Sequence, residues 1–260
     1  MVSAADRAKG PARTSVWLEG RADRDRDRDR SRKSGQPAGL DRARIIEATV
    51  RLLDAEGAAK FSMRRLAAEL NVTAMSVYWY VDTKDDLLEL ALDEVFGTVT
   101  LPDVSPDTDW RDQLRELAAV YRTLLVRHPW VSPLIGTFLN IGPHSMTFSQ
   151  AAQQILRNTG LPPGGQMGGL AAVSQFVYGF GTIEGHFVQR CATAGMSQDE
   201  YFHEAMGSIS EREDLRKSFE NASQLMEARG GDTVAEMRER DFEFALELLV
   251  AGIEAMVARG

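Results

Sequence analysis

The sequence predicts an all-α protein: an N-terminal head of three helices, a linking fourth helix, and a larger helical body. Three observations predict it. From Leu40 nearly to the C-terminus, apolar residues recur at three- and four-residue spacing, with almost no strand-like alternation. The periodic stretches are bounded by Ser or Thr in front and Gly or Pro behind, the usual marks of helix ends. The stretch SMRRLAAELNVTAMSVYWYVDTK, Ser62 to Lys84, reads as two short helices about a tight turn with a third starting directly after.

Residues 1–39 form an N-terminal extension with too few apolar side chains to offset ordering entropy, so disorder is expected there. Its low-complexity run DRDRDRDR, Asp23 to Arg30, is either a basic arm for phosphate or a solvated tail. The alternating Asp favours the tail, because it cancels most of the attraction of Arg to phosphate. The first helix carries Ile45, Ile46, Thr49, Val50, Leu52 and Leu53 and stops at Gly57. Ser62 caps the second, whose buried face is Met63, Leu66, Ala67 and Leu70. Asn71 suits the turn because it tolerates a left-handed backbone. Thr73 caps a helix from Ala74 to Val81, and Thr83 with Asp86 opens the fourth in a capping-box arrangement. LPDVSPDTD, Leu101 to Asp109, marks the junction, so residues 40–100 form the head and 101–260 the body. In the body, helices are expected over 110–127, 147–158, 165–190 and, from Thr233 with Glu236 as its capping-box partner, to about Val257. A charged segment with one short helix is expected over 207–232.

Composition narrows the function. A hydrophobic content of 43% in 260 residues supports a substantial core, yet no apolar run reaches bilayer-spanning length and no secretory signal stretch opens the chain. A cytoplasmic protein without membrane contact is expected. Cys191 is the only cysteine, which excludes a disulfide framework and a thiolate zinc site. There is no glycine-rich phosphate loop, metal-ligand spacing or catalytic triad pattern, so neither an enzyme nor a cofactor- or metal-dependent protein is expected. The net charge of −8 does not exclude nucleic acid, since Arg42, Arg44, Arg51, Lys60, Arg64, Arg65 and Lys84 crowd the first third.

A helix-turn-helix places the start of its second helix against base edges in the major groove. Double-stranded DNA is therefore the expected partner. Thr73, Ala74, Met75, Ser76, Tyr78 and Trp79 are exposed on the recognition helix, with Val77 and Val81 turned inward. Arg64 can grip guanine bidentately, while Ala74 and Met75 offer only apolar contact to thymine methyls. Ser76 and Tyr78 suit phosphate oxygens, and Lys84 at a helix N-terminus can share a phosphate with free backbone N–H groups.

The head motifs RIIEATVRLLDAEG and FSMRRLAAELNVTAMSVYWYVDTKDDLLELALDEV resemble those of the TetR family of bacterial transcriptional regulators. WRDQLRELAAVYRTLLVRHP, the Gly136–Thr137 pair and DFEFALELLVAGIEAM resemble the family's ligand-binding body. The resemblance implies a homodimeric repressor that reads a palindromic operator and is released by a small-molecule effector. It also implies DNA contacts at Ser62, Arg64, Ala74, Met75, Ser76, Tyr78, Trp79, Tyr80 and Lys84. The metal-coordinating histidine found before Gly-Thr in tetracycline repressors is replaced here by Leu134 and Ile135, and Thr98 to Thr100 stand where another histidine is expected. A hydrophobic or amphipathic effector is expected in place of a metal–drug complex.

The long body helix carries Leu170, Val173, Phe176, Val177, Phe180, Ile183 and Phe187, apolar almost all round, and is expected to be buried on most sides. Gln175, Thr182 and His186 share one face with Gly179, and Tyr178 lies beside them. These polar groups either line an effector pocket or bond one another or the dimer mate. Tyr121, Trp130, Phe138, Asn140, His144 and Met146 are further pocket candidates. His128, just before Pro129, suits a helix C-terminus. The last helix presents Phe242, Ala245, Leu248, Leu249, Gly252, Ile253 and Met256, a stripe suited to dimerisation or to core packing.

Overall fold

The computed structural model describes residues 15–18, 40–216, 219 and 228–259, and among these there is no β-strand. The described helices are α1 (Arg42–Glu56), α2 (Met63–Glu69), α3 (Ala74–Tyr78), α4 (Lys84–Gly97), α5 (Trp110–Arg127), α6 (Val131–Ile135), α7 (Pro143–Asn158), α8 (Pro163–Ala194), α9 (Gln198–Ser210) and α10 (Val234–Ala258). They group into two compact units. The first takes in the chain through Val99 together with Trp130–Ser149; the second holds Thr100–Pro129 and everything from Gln150 onward. A linear division near residue 100 leaves Trp130–Ser149 with the body, whereas in the fold this segment belongs with the head helices. α7 begins in the first unit and ends in the second.

The first unit is built by local signals. Asp41 caps α1 by accepting from the Arg44 N–H at 2.7 Å, and Gly57, at φ 77°, ends it. Ile45, Ala48, Leu52 and Leu53 form the buried face of α1, which packs on α2 and α4. Ser62 and Thr73 cap α2 and α3. The Thr83–Asp86 capping box is complete: Asp86 N–H donates to Thr83 at 3.0 Å and Thr83 N–H to Asp86 at 3.2 Å. α3 ends at Tyr78, three residues before the expected Val81, and a turn through Trp79 and Tyr80 carries the chain on. Ser15 to Leu18 form a turn in which Ser15 and Val16 are buried; the rest of the extension lies outside the described residues.

In the second unit α8 packs along α5 and, less extensively, on α10 and α9. α8 spans more than the expected 165–190 because Pro163 fits its first turn and Gly195, at φ 71°, closes it. α7 likewise starts at Pro143, four residues before the expected 147, because Asp93 caps it from α4: the N–H groups of Ser145 and His144 donate to its carboxylate at 2.8 and 3.3 Å. α9 lies mostly ahead of the 207–232 segment in which a short helix is expected, and meets it only over its last residues. Its signal is the Ser197–Glu200 capping box, where Ser197 N–H donates to the Glu200 carboxylate at 2.7 Å. Part of the 207–232 segment lies outside the described residues. Thr233 caps α10 as expected, but Glu236 does not complete a box; its carboxylate accepts the Asp232 N–H at 2.8 Å.

Long α8 corrects one expectation. Along it only Val173, Val177, Gly181, Glu184, Gly185 and Cys191 are buried, so within one chain it is covered on one side rather than on most.

Candidate functional site

The head residues expected to meet DNA lie on and around α2 and α3. Asn71 takes the left-handed conformation at φ 54° and turns the chain from α2 into α3. Thr73 then accepts the Ser76 N–H at 3.2 Å, and the Thr73 and Ser76 hydroxyls lie 2.9 Å apart. Val77 is buried on the inner side of this helix, and Val81, in the turn that follows it, is buried too. The outer side is held up by that anchor: Met75 is 68% exposed and Trp79 53%, with Tyr78, Thr73, Ser62 and Arg64 also exposed and Ala74 and Ser76 half-buried. An exposed Met–Tyr–Trp face on a short polar-capped helix is costly to leave in water without a partner to cover it.

Neighbouring arginines divide their roles. Arg65 turns back, donating from Nε to Glu56 at 2.8 Å and from Nη1 to Glu69 at 3.2 Å. Arg64 points outward. Two other candidates are engaged within the head. The Tyr80 hydroxyl donates to the Leu40 carbonyl at 2.6 Å, tying the chain ahead of α1 to the end of α3. Lys84 Nζ donates to the Phe61 carbonyl at 2.9 Å and lies 5.6 Å from the centre of the Phe61 ring.

The effector candidates fall in both units. In the first, Trp130 is a core residue whose indole N–H donates to Asp54 at 2.6 Å. Asn140, at φ 53°, donates from Nδ2 to the carbonyls of Ile135 and Phe138 at 2.8 and 2.9 Å. Its Oδ1 is buried and accepts from no donor among the described residues. The exposed His144 packs its ring over Gly97, where an added Cβ would stand 2.9 Å from ring atoms. Phe138 is half-buried and Met146 exposed.

In the second unit Tyr121 and Tyr178 are half-buried neighbours, and burial, reinforced by Tyr178, pushes the Tyr121 phenol well above its ordinary range. Thr182 is half-buried. Gln175 and His186 lie on the open side of α8 with Ile183. His186 lines an open depression of about 530 Å³ with Gln189, Arg190, Thr193 and Tyr201, and Gln175 is not part of it.

That open side continues into an apolar groove of about 540 Å³ between the first half of α8 and the end of α10, lined by Leu161, Gly165, Gly169, Leu248, Gly252 and Met256 among others. Met167, Ile183, Phe244, Leu248 and Met256 are exposed on the same two helices.

One cluster was not singled out from the sequence. Arg122 of α5 is buried and binds Glu184 of α8 and Glu239 of α10, with the Phe242 and Phe180 rings 4.5 and 5.2 Å from its guanidinium carbon. The signal was a lone Glu in the apolar run of α8. Among the described residues no grouping of His, Cys, Asp and Glu could hold a metal ion, and no helix is long and apolar enough to cross a membrane.

A helix-turn-helix unit with an outward recognition helix, in a chain that continues into an all-helical body, defines a DNA-binding transcriptional regulator. Residues 45–91 match the family described as bacterial regulatory proteins of the tetR family, and residues 101–257 match the tetracyclin repressor-like C-terminal domain; the chain belongs to the tetR family. It is similar to an HTH-type transcriptional regulator of Saccharopolyspora erythraea, with 41% identity over 140 residues that cover 54% of this chain and 59% of the relative. It is also similar to the HTH-type transcriptional repressor DrrR1 of Streptomyces coeruleorubidus, 27% identical over 83% of this chain and 78% of the relative. ActR of Streptomyces coelicolor, solved in complex with actinorhodin, superposes with a TM-score of 0.65 at 28% identity, covering 84% of this chain and 97% of that one.

Proposed function

We propose that this protein is a ligand-responsive repressor that binds a palindromic operator as a homodimer and is released by a small hydrophobic or amphipathic molecule. The observation that carries it is the exposed α3 face, Met75, Tyr78 and Trp79, beside the outward Arg64. In the proposed complex Arg64 reads a base edge, Ala74 and Met75 meet thymine methyls, and Ser62, Thr73, Ser76, Tyr78 and Trp79 hold the backbone. Lys84 adds charge near a phosphate while bonded to Phe61, and Tyr80 acts by positioning the recognition helix. The role is binding, not catalysis, and its place is the cytoplasm.

The dimer face is the open side of α8 and α10. Its groove and exposed apolar side chains suit a second copy of the same surface, packed as a four-helix interface. Effector contacts are assigned within the second unit to Tyr121, Tyr178 and Thr182, with Gln175 and His186 reached from the dimer side. Phe138, Asn140, His144 and Met146 are taken as a separate set of contacts within the first unit, where Trp130 belongs to the core. The likeness to ActR, solved with a bound small molecule, supports an effector-gated mechanism.

The test is fluorescence anisotropy of labelled DNA from the protein's own upstream region at stated salt, with and without small-molecule extracts of the source cells. Tight binding reversed by an extract is expected. Binding that no extract reverses would remove the effector, and binding no tighter than to a scrambled duplex would remove this operator.

A further inference from the structure

Every residue of α4 from Asp86 to Asp93 is buried, so the helix is covered on all sides over more than two turns. α1 and α6 pack against it. Along one face stand three carboxylates at i, i+3 and i+7: Asp86, Glu89 and Asp93. Each accepts backbone N–H bonds. Asp86 caps its own helix and Asp93 caps α7. Glu89, 3% exposed, has neither task. Its carboxylate accepts the Ser15 hydroxyl at 2.5 Å and the Val16 N–H at 2.8 Å, from a segment 73 to 74 positions upstream.

Ser15 and Val16 are themselves buried, and Ser15 Oγ also accepts the Trp17 N–H at 3.2 Å. The Leu18 N–H closes the turn on the Ser15 carbonyl at 3.3 Å. SVWL is the apolar island of an otherwise polar extension. A buried carboxylate is tolerated only while its lone pairs are met. Glu89 in the interior of α4 therefore makes sense as a receptor for this segment. The segment belongs to the same chain as α4, so the contact forms without the association cost that a separate molecule would meet.

We propose that Ser15–Leu18 is an intramolecular latch for α4, seated on Glu89 through the Ser15 hydroxyl and the Val16 N–H, and that its engagement holds the head in its DNA-binding form. The latch itself does not depend on the proposed function; its effect on DNA does.

Hydrogen exchange on the full chain tests it, with three variants. Ser15→Asp sets a second carboxylate against Glu89, Val16→Pro removes the N–H donor, and Trp17→Tyr leaves both bonds in place. Ser15→Asp and Val16→Pro are expected to speed exchange of the Leu87–Asp93 amides by about tenfold or more, the loss of one or two charge-assisted bonds, with Trp17→Tyr near the parent. A peptide of residues 13–19 added to the Val16→Pro chain should restore slow exchange, and operator affinity should fall and recover in parallel. Unchanged α4 exchange in both disruptive variants, or no rescue by the peptide, would overturn the latch. Protection that falls on dilution would assign the segment to a second copy and overturn its intramolecular character. Altered α4 exchange with unaltered operator affinity would overturn the effect on DNA. A parent chain that binds no operator counts against the proposed function alone, and the exchange result still decides the latch.

Discussion

Arg122 grips Glu184 in a two-point pair, Nε to Oε2 at 2.7 Å and Nη2 to Oε1 at 3.1 Å, between α5 and α8 of the body. Its remaining Nη1 reaches Glu239 of α10 at 2.7 Å, so one guanidinium joins the three principal helices of the second unit. Both partners of the first pair have side chains about a tenth exposed. Breaking such a pair leaves a buried charge, which costs about 3–5 kcal/mol, whereas replacing both partners by apolar groups is often neutral. Arg122→Met alone should therefore lower the body's denaturation midpoint sharply, and Arg122→Met with Glu184→Leu should recover most of the loss. Equal destabilisation by the single and double variants would contradict this account.

Gly185 sets how closely α8 approaches α5. A Cβ there would stand 2.8 Å from the Leu125 carbonyl oxygen and 3.2 Å from Val126 Cα. Backbone does not yield as a side-chain tip does, so Gly185→Ala should cost about 1–3 kcal/mol by overpacking. A Cβ at Gly179 meets nothing within 4 Å. Gly179→Ala should raise protomer stability by up to about 1 kcal/mol through helix propensity. Thermal melts of the two variants are expected to move in opposite directions.

On DNA, Arg64→Ala should relax base preference at one position of each half-site, at about 1–3 kcal/mol for the preferred base. Lys84→Ala should weaken all sequences alike and lower the salt slope by about 1. Tyr80→Phe removes the bond to the Leu40 carbonyl and should cost about 1 kcal/mol of head stability while leaving base preference in place. Binding curves on operator and scrambled duplex at several salt concentrations separate the three.

The dimer face predicts its own disruption. Phe244 and Leu248 are exposed apolar side chains on α10, and Leu248 also lines the groove. Phe244→Asp or Leu248→Asp should yield a folded monomer by sedimentation, with helical content retained and operator affinity largely lost. A dimer of unchanged strength in both variants would place the interface elsewhere.

Acid should loosen particular helix ends first. The Arg111 backbone N–H and guanidinium hold the Asp109 carboxyl below its ordinary 3.8, and the Ser197 cap holds Glu200 below 4.5. A carboxyl lowered in the folded state contributes stability above its ordinary value and loses it as pH falls through the lower folded one. The first turns of α5 and α9 should fray below about pH 4, followed by amide exchange, with little change between pH 6 and 8.

Much of the head was legible because its signals are local. Ser62, Thr73 and Thr83 each cap the helix that begins beside them, and Met63, Leu66, Ala67 and Leu70 repeat at the helical period. The body was less legible. The Ser197–Glu200 box announced α9 but no strongly periodic apolar run followed it. Pro143 read as a breaker until Asp93, fifty residues away, capped the helix it starts. The polar stripe of α8 was legible as a stripe; that Gln175 and His186 face outward depended on which side α5 covers.

By itself the sequence determined the helical class, the turn at Asn71, the inward Val77 and Val81 and the family, because periodicity, caps and motif spacing act over a few neighbouring residues. Only the tertiary structure decided where each polar group is spent: Tyr80 on Leu40, Lys84 on Phe61, Arg122 on Glu184, and Glu89 on Ser15 and Val16. Those partners lie 23 to 74 positions apart in the chain. Desolvation makes each of these bonds obligatory once the group is buried, but which distant donor or acceptor meets it is settled by packing, not by local sequence.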